Sequence, residues 1–187
     1  METTAGEETV PRELAAVQAL VNTADLEGND DRLDSPEALR RFLVGQGLLD
    51  PSEPVGQADL ALAVELREAL RAMLRVNHGE PRDPAALELA NRATAGIPLQ
   101  VSFDGEGHPV LGPGSAGCRG ALAALLAGVA QASARGTWER LKACSAESCQ
   151  WAFYDRSKNR SGRWCSMQTC GNRTKTRTYR TRRRAGS

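Results

Sequence analysis

The sequence has 187 residues, enough for one large domain or two small ones with a hydrophobic core. Its formal net charge of +1 combines two opposed regions: residues 136–187 contain thirteen Lys and Arg against three Asp and Glu, and residues 1–135 contain eleven against twenty. Charges of +10 and −9 exclude a uniformly basic surface, so a nucleic-acid partner is expected only at the C-terminal segment.

The N-terminal stretch METTAGEETVPREL is acidic and lacks the features of a secretory signal. The most apolar run, residues 121–130, is too short to span a bilayer. We therefore expect a cytoplasmic protein, in which paired cysteines are more often metal ligands or reactive thiols than disulfides. Arginine outnumbers lysine twenty-one to three, a bias that a GC-rich genome produces as readily as phosphate recognition does.

Residues 1–136 are predicted to form a mainly helical domain with a β-hairpin. The first helix is indicated by apolar residues at helical spacing within residues 14–21. The second has Ser35 as its N-cap and Pro36 at its first position, and it ends at Gly45 or Gly47.

The longest predicted helix contains DLALAVELREALRAML, residues 59–74, and stops near residues 77–79. Its apolar stripe leaves the charged residues largely on other faces, so Glu68 and Arg71, three positions apart, are interpreted as a solvated ion pair. A further helix opens at Asp83 and Pro84 and closes at Gly96.

The segments IPLQVSF and HPVLG, separated by the turn residues DGEG, predict a hairpin that belongs to a small sheet. A last apolar helix covers residues 117–134, and Gly136 marks the boundary with the basic segment.

We find no phosphate-binding loop, nucleophile elbow or paired histidines, and the sequence predicts no enzyme. His78 and His108 are expected to be surface or structural residues. Cys118 is expected to be a buried packing residue rather than a redox centre.

Four cysteines follow the pattern Cys144-x4-Cys149, fifteen residues, Cys165-x4-Cys170. Two close pairs on separate loops can supply the closed tetrahedron of thiolates that structural Zn²⁺ requires. The spacing favours zinc over a disulfide pair, a thiol switch or chance proximity, and it leaves those alternatives open.

Between the two pairs, QWAFYD predicts a strand, RSKNRSG a turn and RWC a returning segment, so we expect a hairpin that joins the ligand pairs. Trp151, Phe153 and Trp164 are the expected small core, and Asp155 and Ser157 are expected to fix the turn. Basic residues such as Lys142, Arg163 and Arg173 are candidates to donate to the sulfurs or to neutralise them.

The segment GNRTKTRTYRTRRR is predicted to form a basic helix that can track phosphates or enter a major groove, and the alternative is a solvated, frayed tail. Asn172 is a candidate helix cap or base contact. The candidate nucleic-acid contacts are Arg163, Asn172, Arg173, Lys175, Arg177, Arg180, Arg182, Arg183 and Arg184.

The run CQWAFYDRSKNRSGRWCSMQTCGNR resembles the CGNR zinc-finger domain of bacterial regulators, which is named for residues 170–173 as they stand here. The upstream motifs LVNT, residues 20–23, and LREALRAML, residues 66–74, resemble the ABATE domain of stress-induced transcription regulators. This resemblance implies one Zn²⁺ held by Cys144, Cys149, Cys165 and Cys170, and a role in binding double-stranded DNA.

The resulting hypothesis is an α+β protein with an ABATE-like domain, residues 1–136, and a zinc module with a hairpin and a basic helix, residues 137–187. The N-terminal domain is expected to bind a small effector or to form a homodimer. Two alternatives stay open: the zinc module binds an acidic protein surface, including that of its own N-terminal domain, or it binds RNA.

Overall fold

The computed structural model describes residues 10–174 and 176. Five helices and three two-stranded antiparallel sheets confirm the α+β class within that part of the chain. In chain order the elements are α1 (Arg12–Val21), β1 (Ala24–Asp25), β2 (Asp30–Asp31), α2 (Pro36–Gly45), α3 (Gln57–Asn77), α4 (Pro84–Ala95), β3 (Leu99–Phe103), β4 (Pro109–Pro113), α5 (Gly117–Ala134), β5 (Leu141–Ala143) and β6 (Ala152–Tyr154). A 3₁₀ turn, Trp138–Arg140, precedes β5, and a π-helical turn, Met167–Gly171, follows Trp164.

The helix ends follow the capping residues that the sequence indicated. The Ser35 hydroxyl accepts a hydrogen bond from the Ala38 N–H at 3.2 Å, and the Asp83 carboxylate accepts one from the Ala85 N–H at 2.9 Å. Each cap satisfies an amide that the helix itself leaves without an acceptor. The predicted starts of α2 and α4 are therefore confirmed.

The main hydrophobic core lies between α1, α3 and α5. Leu14 and Leu20 of α1, Leu66 and Leu74 of α3, and Leu122 of α5 are at most 1 % exposed. Helices α1 and α5 approach closely because a Cβ added at Gly128 would lie only 2.4 Å from the Glu13 carbonyl oxygen. Cys118 is buried in this core, and burial raises the pKa of its thiol to about 11, which agrees with a packing role.

The predicted hairpin is confirmed as β3 and β4, with Val101 opposite Leu111. It forms a two-stranded sheet by itself, and the apolar side chains of Val101 and Phe103 are 64 % and 72 % exposed. β4 lies next to α5, where the Gln131 side chain donates to the Leu111 carbonyl at 3.3 Å. The hairpin therefore adds little to the core.

The pair predicted on α3 between Glu68 and Arg71 forms, but it is not solvated as predicted, because Arg71 is only 3 % exposed. Its neighbour Arg67 is also buried, at 4 %. Arg67 donates to both carboxylate oxygens of Asp31, at 2.6 and 2.8 Å. Arg71 donates to Glu68 at 3.0 Å, and also to the Val21 carbonyl, at the C-terminus of α1, at 2.8 Å. Carbonyls at a helix C-terminus lack intrahelical donors, so a buried guanidinium there is well compensated.

The hairpin of the C-terminal segment differs from the predicted one. β6 pairs with β5, in the register Leu141 to Tyr154 and Ala143 to Ala152, and the RWC segment is not its partner. The first cysteine pair therefore lies in the loop of this hairpin. The sequence prediction failed because strands of three residues carry almost no periodicity, and their pairing is decided by contacts with the helices.

The β5–β6 hairpin packs directly on the helical core. Leu141, Ala143 and Ala152 are at most 1 % exposed and belong to the same hydrophobic cluster as the helices. The Asn77 side chain, at the end of α3, donates to the carbonyls of Trp138 and Leu141, each at 3.0 Å. The two predicted domains thus share a buried interface, and their boundary at residue 136 stays a prediction.

Within the described ranges, none of the helices combines the length and the apolar character needed to cross a bilayer.

Candidate metal centre

The sulfur atoms of Cys144, Cys149, Cys165 and Cys170 form a compact cluster. All four lie within 4.8 Å of one another, and Cys165 Sγ is 3.7 Å from the sulfurs of both Cys149 and Cys170. A regular ZnS₄ tetrahedron with bonds of about 2.3 Å has sulfur–sulfur edges of about 3.8 Å. The donor set therefore fits one zinc ion, and these distances are too long for disulfide bonds, about 2.05 Å.

Short backbone turns place each sulfur. The Cys144 N–H donates to the Trp151 carbonyl at 2.9 Å, which continues the β5–β6 ladder into the loop. The Cys149 N–H donates to the Ala146 carbonyl at 2.8 Å and closes a tight turn. Cys170 lies within the π-helical turn, where the Ser166 hydroxyl accepts from the Thr169 N–H at 3.3 Å. The two close pairs therefore come from two separate turns, as the spacing predicts.

Two tryptophans shield the cluster. Trp151 and Trp164 pack against the buried cysteines, as predicted, whereas Phe153 of β6 is half-buried and lies outside this small core. A Cβ added at Gly171 would lie 2.8 Å from Met167 Sδ and 3.1 Å from Trp164 Cδ1. The glycine of the CGNR sequence thus allows the turn to approach the indole closely.

Burial and mutual proximity oppose ionisation of the thiols on their own. Burial, followed by the charge of Cys144, raises the pKa of Cys165 far above its ordinary value. Burial likewise raises the pKa of Cys170 to about 12. Burial also opposes ionisation of Cys144, but backbone hydrogen bonds from Ala146 and Cys165 bring its pKa below the ordinary value. A bound dication supplies the positive charge that four adjacent thiolates need.

The three basic residues expected near the sulfurs have different surroundings. Arg173 donates to Cys170 Sγ at 3.5 Å and also to the carboxylate of Glu27, in the β1–β2 turn, at 2.8 Å. Lys142 is 4 % exposed and bonds Asp155 at 2.7 Å instead of a sulfur. The Arg163 guanidinium lies over the Trp164 ring, 5.7 Å from its centroid.

Asp155 fixes the turn between the strand and the second cysteine pair, as predicted. Its buried carboxylate accepts from the Ser157 N–H at 2.9 Å and from the Gly162 N–H at 2.8 Å, in addition to Lys142. Burial raises the pKa of Asp155, but these hydrogen bonds, with Lys142 first, hold it well below its usual range. A Cβ added at Gly162 would lie 2.6 Å from Asp155 Oδ1, so this turn leaves no room for a side chain.

The candidate nucleic-acid contacts are described only in part. Arg163 and Asn172 are exposed, and the Asn172 side chain donates to the Gln168 carbonyl at 3.2 Å. Residues 172–174 and 176 are helical, which agrees with the start of the predicted basic helix. The other predicted contacts lie outside the described residues: Lys175, Arg177, Arg180, Arg182, Arg183 and Arg184.

Several residues of the N-terminal region support the finger, and the sequence interpretation did not anticipate them. The Asn22 side chain donates to the Ala152 carbonyl at 2.9 Å and accepts from the Ala152 N–H at 2.7 Å. Arg71 donates to the Gln150 carbonyl at 3.2 Å. Asn22 lies within the LVNT motif, directly after α1. A polar residue at the end of an apolar helix was therefore the sequence feature that could have indicated this contact.

His78 and His108 have the surface or structural roles that we expected. His108 is exposed, and half-buried His78 contacts the Ser145 hydroxyl through Nε2. Burial, then the charges of Lys142 and Arg163, lower the pKa of His78, so the ring is neutral at neutral pH. Nδ1 of His78 is the buried side-chain nitrogen without a partner in the described part of the chain. We infer that Nε2 carries the proton, because an unpaired acceptor is less costly than an unpaired N–H.

Two family models match the chain. The ABATE model, described as "Putative stress-induced transcription regulator", matches residues 14–141, and the CGNR zinc-finger model matches residues 140–183. No curated protein matches the chain. The cysteine cluster and the finger family together support a single zinc ion.

Proposed function

Because this chain belongs to the ABATE family and carries a CGNR zinc finger, we propose that it is a zinc-containing DNA-binding protein that regulates transcription. The observation that carries the proposal is the four-sulfur cluster, which lies immediately before the most basic stretch of the sequence. A stress-related role in the cytoplasm is part of the proposal and is supported by the family description.

In this proposal Cys144, Cys149, Cys165 and Cys170 are the ligands of a closed structural site. Four protein thiolates leave no open coordination position for a substrate, so the ion's contribution is to hold the two turns together. Neither family is described as enzymatic, and we propose a non-catalytic role.

Charge supports the nucleic-acid part of the proposal. Four thiolates on Zn²⁺ carry about −2, which leaves residues 136–187 at about +8. The proposed contacts begin at Arg163, Asn172 and Arg173 and continue through Lys175, Arg177, Arg180, Arg182, Arg183 and Arg184. Such a surface favours phosphate contacts, and sequence readout would need additional contacts to base edges.

The test measures zinc per chain by elemental analysis and then the anisotropy of a labelled random DNA duplex at several salt concentrations. Five to eight phosphate contacts predict a slope of log K against log salt of about −4.5 to −7. Chelation should abolish binding. Salt-insensitive binding would overturn the proposed surface, and a labelled RNA hairpin of equal length distinguishes the two nucleic acids.

The ion pair between Arg173 and Glu27 favours a second candidate, in which the finger docks on acidic protein surfaces. Here a basic residue of the finger already contacts the acidic N-terminal region of the same chain. If this candidate is right, neither the wild-type protein nor the Glu27→Gln variant binds DNA. If instead the pair inhibits a DNA-binding finger, the substitution should make DNA binding tighter.

A further inference from the structure

A cleft of about 630 Å³ lies where the end of α3 meets the zinc module. His78 and Glu80 line its helical side, and Arg160, Arg163 and Trp164 line the side of the finger. Its volume is within the range of ligand pockets, about 300–1,000 Å³. The metal cluster does not line this cleft, so the cleft is a separate feature from the zinc site.

The cleft has an excess of positive charge. Glu80 forms an ion pair with Arg75, whose nitrogen lies 2.6 Å from its carboxylate oxygen, and Lys142 forms one with Asp155 at 2.7 Å. These two pairs are neutral. Arg160 and Arg163 have no carboxylate within ion-pair distance in the described part of the chain, although Arg160 donates to the Gly136 carbonyl at 3.3 Å. The two guanidinium groups are therefore the uncompensated charges of the cleft.

The lowered pKa of His78, which lines the cleft, agrees with this positive potential. Among the charges that lower the pKa of His78, Lys142 and Arg163 are the largest, after the effect of burial. The opposing charges of Glu80 and Asp155 have smaller effects.

Guanidinium groups and an indole together select a particular class of ligand. Guanidinium donors form paired hydrogen bonds with phosphate oxygens, and a phosphate group offers more acceptors than a carboxylate does. The exposed Arg163 guanidinium, which lies over the Trp164 ring, is itself a planar group against which an aromatic group can stack.

We propose that this cleft binds a small phosphate-bearing molecule with a planar group, of the size of a nucleoside monophosphate. The ligand would contact both the helical region and the finger, because the walls of the cleft come from both. The inference goes beyond the proposed function and does not require that the protein bind DNA.

The experiment is isothermal titration calorimetry of the zinc-loaded full chain with adenosine 5′-monophosphate and, separately, with inorganic phosphate. The test variant is the double substitution Arg160→Gln and Arg163→Gln. The matched control is Arg156→Gln with Lys158→Gln, which removes the same charge from two exposed residues of the finger that do not line the cleft.

We expect the wild-type protein to bind the nucleotide more tightly than inorganic phosphate, because only the nucleotide can stack on the Arg163 guanidinium that lies over Trp164. The double variant should lose at least about tenfold in affinity while keeping its zinc, and the control should bind as the wild type does. The single variant Arg163→Gln, which keeps the turn at Arg160 intact, should show an intermediate loss.

Three results would overturn the proposal. The first is no binding of either probe by the wild-type protein at millimolar concentration. The second is equal affinity of the test and control variants. The third is a test variant that loses only binding to a DNA duplex, which would assign the two arginines to backbone phosphates of DNA instead of a small ligand.

Discussion

The helical core and the metal centre lie side by side in one chain but are stabilised by different interactions. The core is filled by leucines from α1, α3 and α5, and its buried polar side chains include Arg67 and Arg71, which bond carboxylates and the end of a helix. The metal centre contains four cysteines, two tryptophans and few other apolar side chains. A region of this size cannot exclude enough apolar surface by itself, so it depends on an ion and on bonds from the helices.

Removal of one ligand should separate the two regions most clearly. We expect Cys165→Ser to reduce the zinc content from one equivalent to nearly none. The free energy of zinc binding at a structural site, about 10–16 kcal/mol, comes from all of its ligands acting together. The far-UV circular dichroism of α1–α5 should largely persist. The control, Cys118→Ala in α5, should keep its zinc, and a full equivalent in Cys165→Ser would refute the ligand assignment.

Arg71→Ala should give the next largest effect, since it removes a buried charge that bonds both α1 and the finger loop. We expect a loss of about 3–5 kcal/mol in the free energy of unfolding, measured with urea in the presence of zinc. The control is Arg41→Ala on α2, whose exposed side chain lies 3.8 Å from Glu37 and should matter by less than about 0.5 kcal/mol. Equal losses would show that Arg71 is not a structural link.

Asp31→Asn tests a smaller, pH-dependent contribution, the ion pair between the partly exposed Asp31 carboxylate of β2 and the buried Arg67 guanidinium. Burial raises the pKa of Asp31, but hydrogen bonds from Arg67 and the Leu33 N–H bring it below its ordinary 3.8. Its stabilisation is therefore complete above pH 3.8 and is lost as the pH falls through the folded value. We expect a loss of about 1–2 kcal/mol at pH 7.

The measurement compares urea midpoints of Asp31→Asn and wild type from pH 7 downward. Both proteins respond equally to any acid release of zinc, so the difference between them isolates Asp31. The difference should shrink toward zero in acid. Asp30→Asn, an exposed neighbour in the same strand, should differ little from wild type at any pH, and a constant difference for Asp31→Asn would contradict the proposed linkage.

Phe103→Ser should have the smallest effect, because Phe103 is 72 % exposed on β3. We expect a change within about 0.5 kcal/mol in thermal or urea unfolding. Leu122→Ala in α5, where the leucine is fully buried, should cost about 2–5 kcal/mol. A large effect of the phenylalanine would mean that the β3–β4 face is covered in solution.

Much of the fold was predictable because helices have local signals. The apolar repeat of α1, the Ser35 cap and the Asp83 cap are set by neighbours within one or two turns, and the structure has them where predicted. The cysteine pairs were predictable for a related reason, since each pair lies within a single turn.

The buried arginines of α3 and the pairing of β5 with β6 were not predictable, because they depend on long-range contacts that sequence periodicity does not encode. Arg67 and Arg71 lie in the interior because Asp31 and the Val21 carbonyl provide acceptors there, and a charge pattern alone assigns arginines to the surface. Likewise, β6 pairs with β5 because helix residues bond both of these short strands, a contact that no spacing within the segment reveals.

The side-chain amide of Asn22 has a consequence for self-association. In the antiparallel β5–β6 pair, backbone groups alternate in direction, so the N–H and C=O of Ala152 face away from β5. Such an outward-facing peptide group is where a strand from a second molecule would add and begin to aggregate. The Asn22 amide, one donor and one acceptor, occupies both groups like a strand of one residue. Asp at this position would face the Ala152 carbonyl with a second acceptor, so the carbonyl would keep only the Gln18 Nε2 donor, 3.2 Å away, and the edge would be less well closed to a strand from a second molecule.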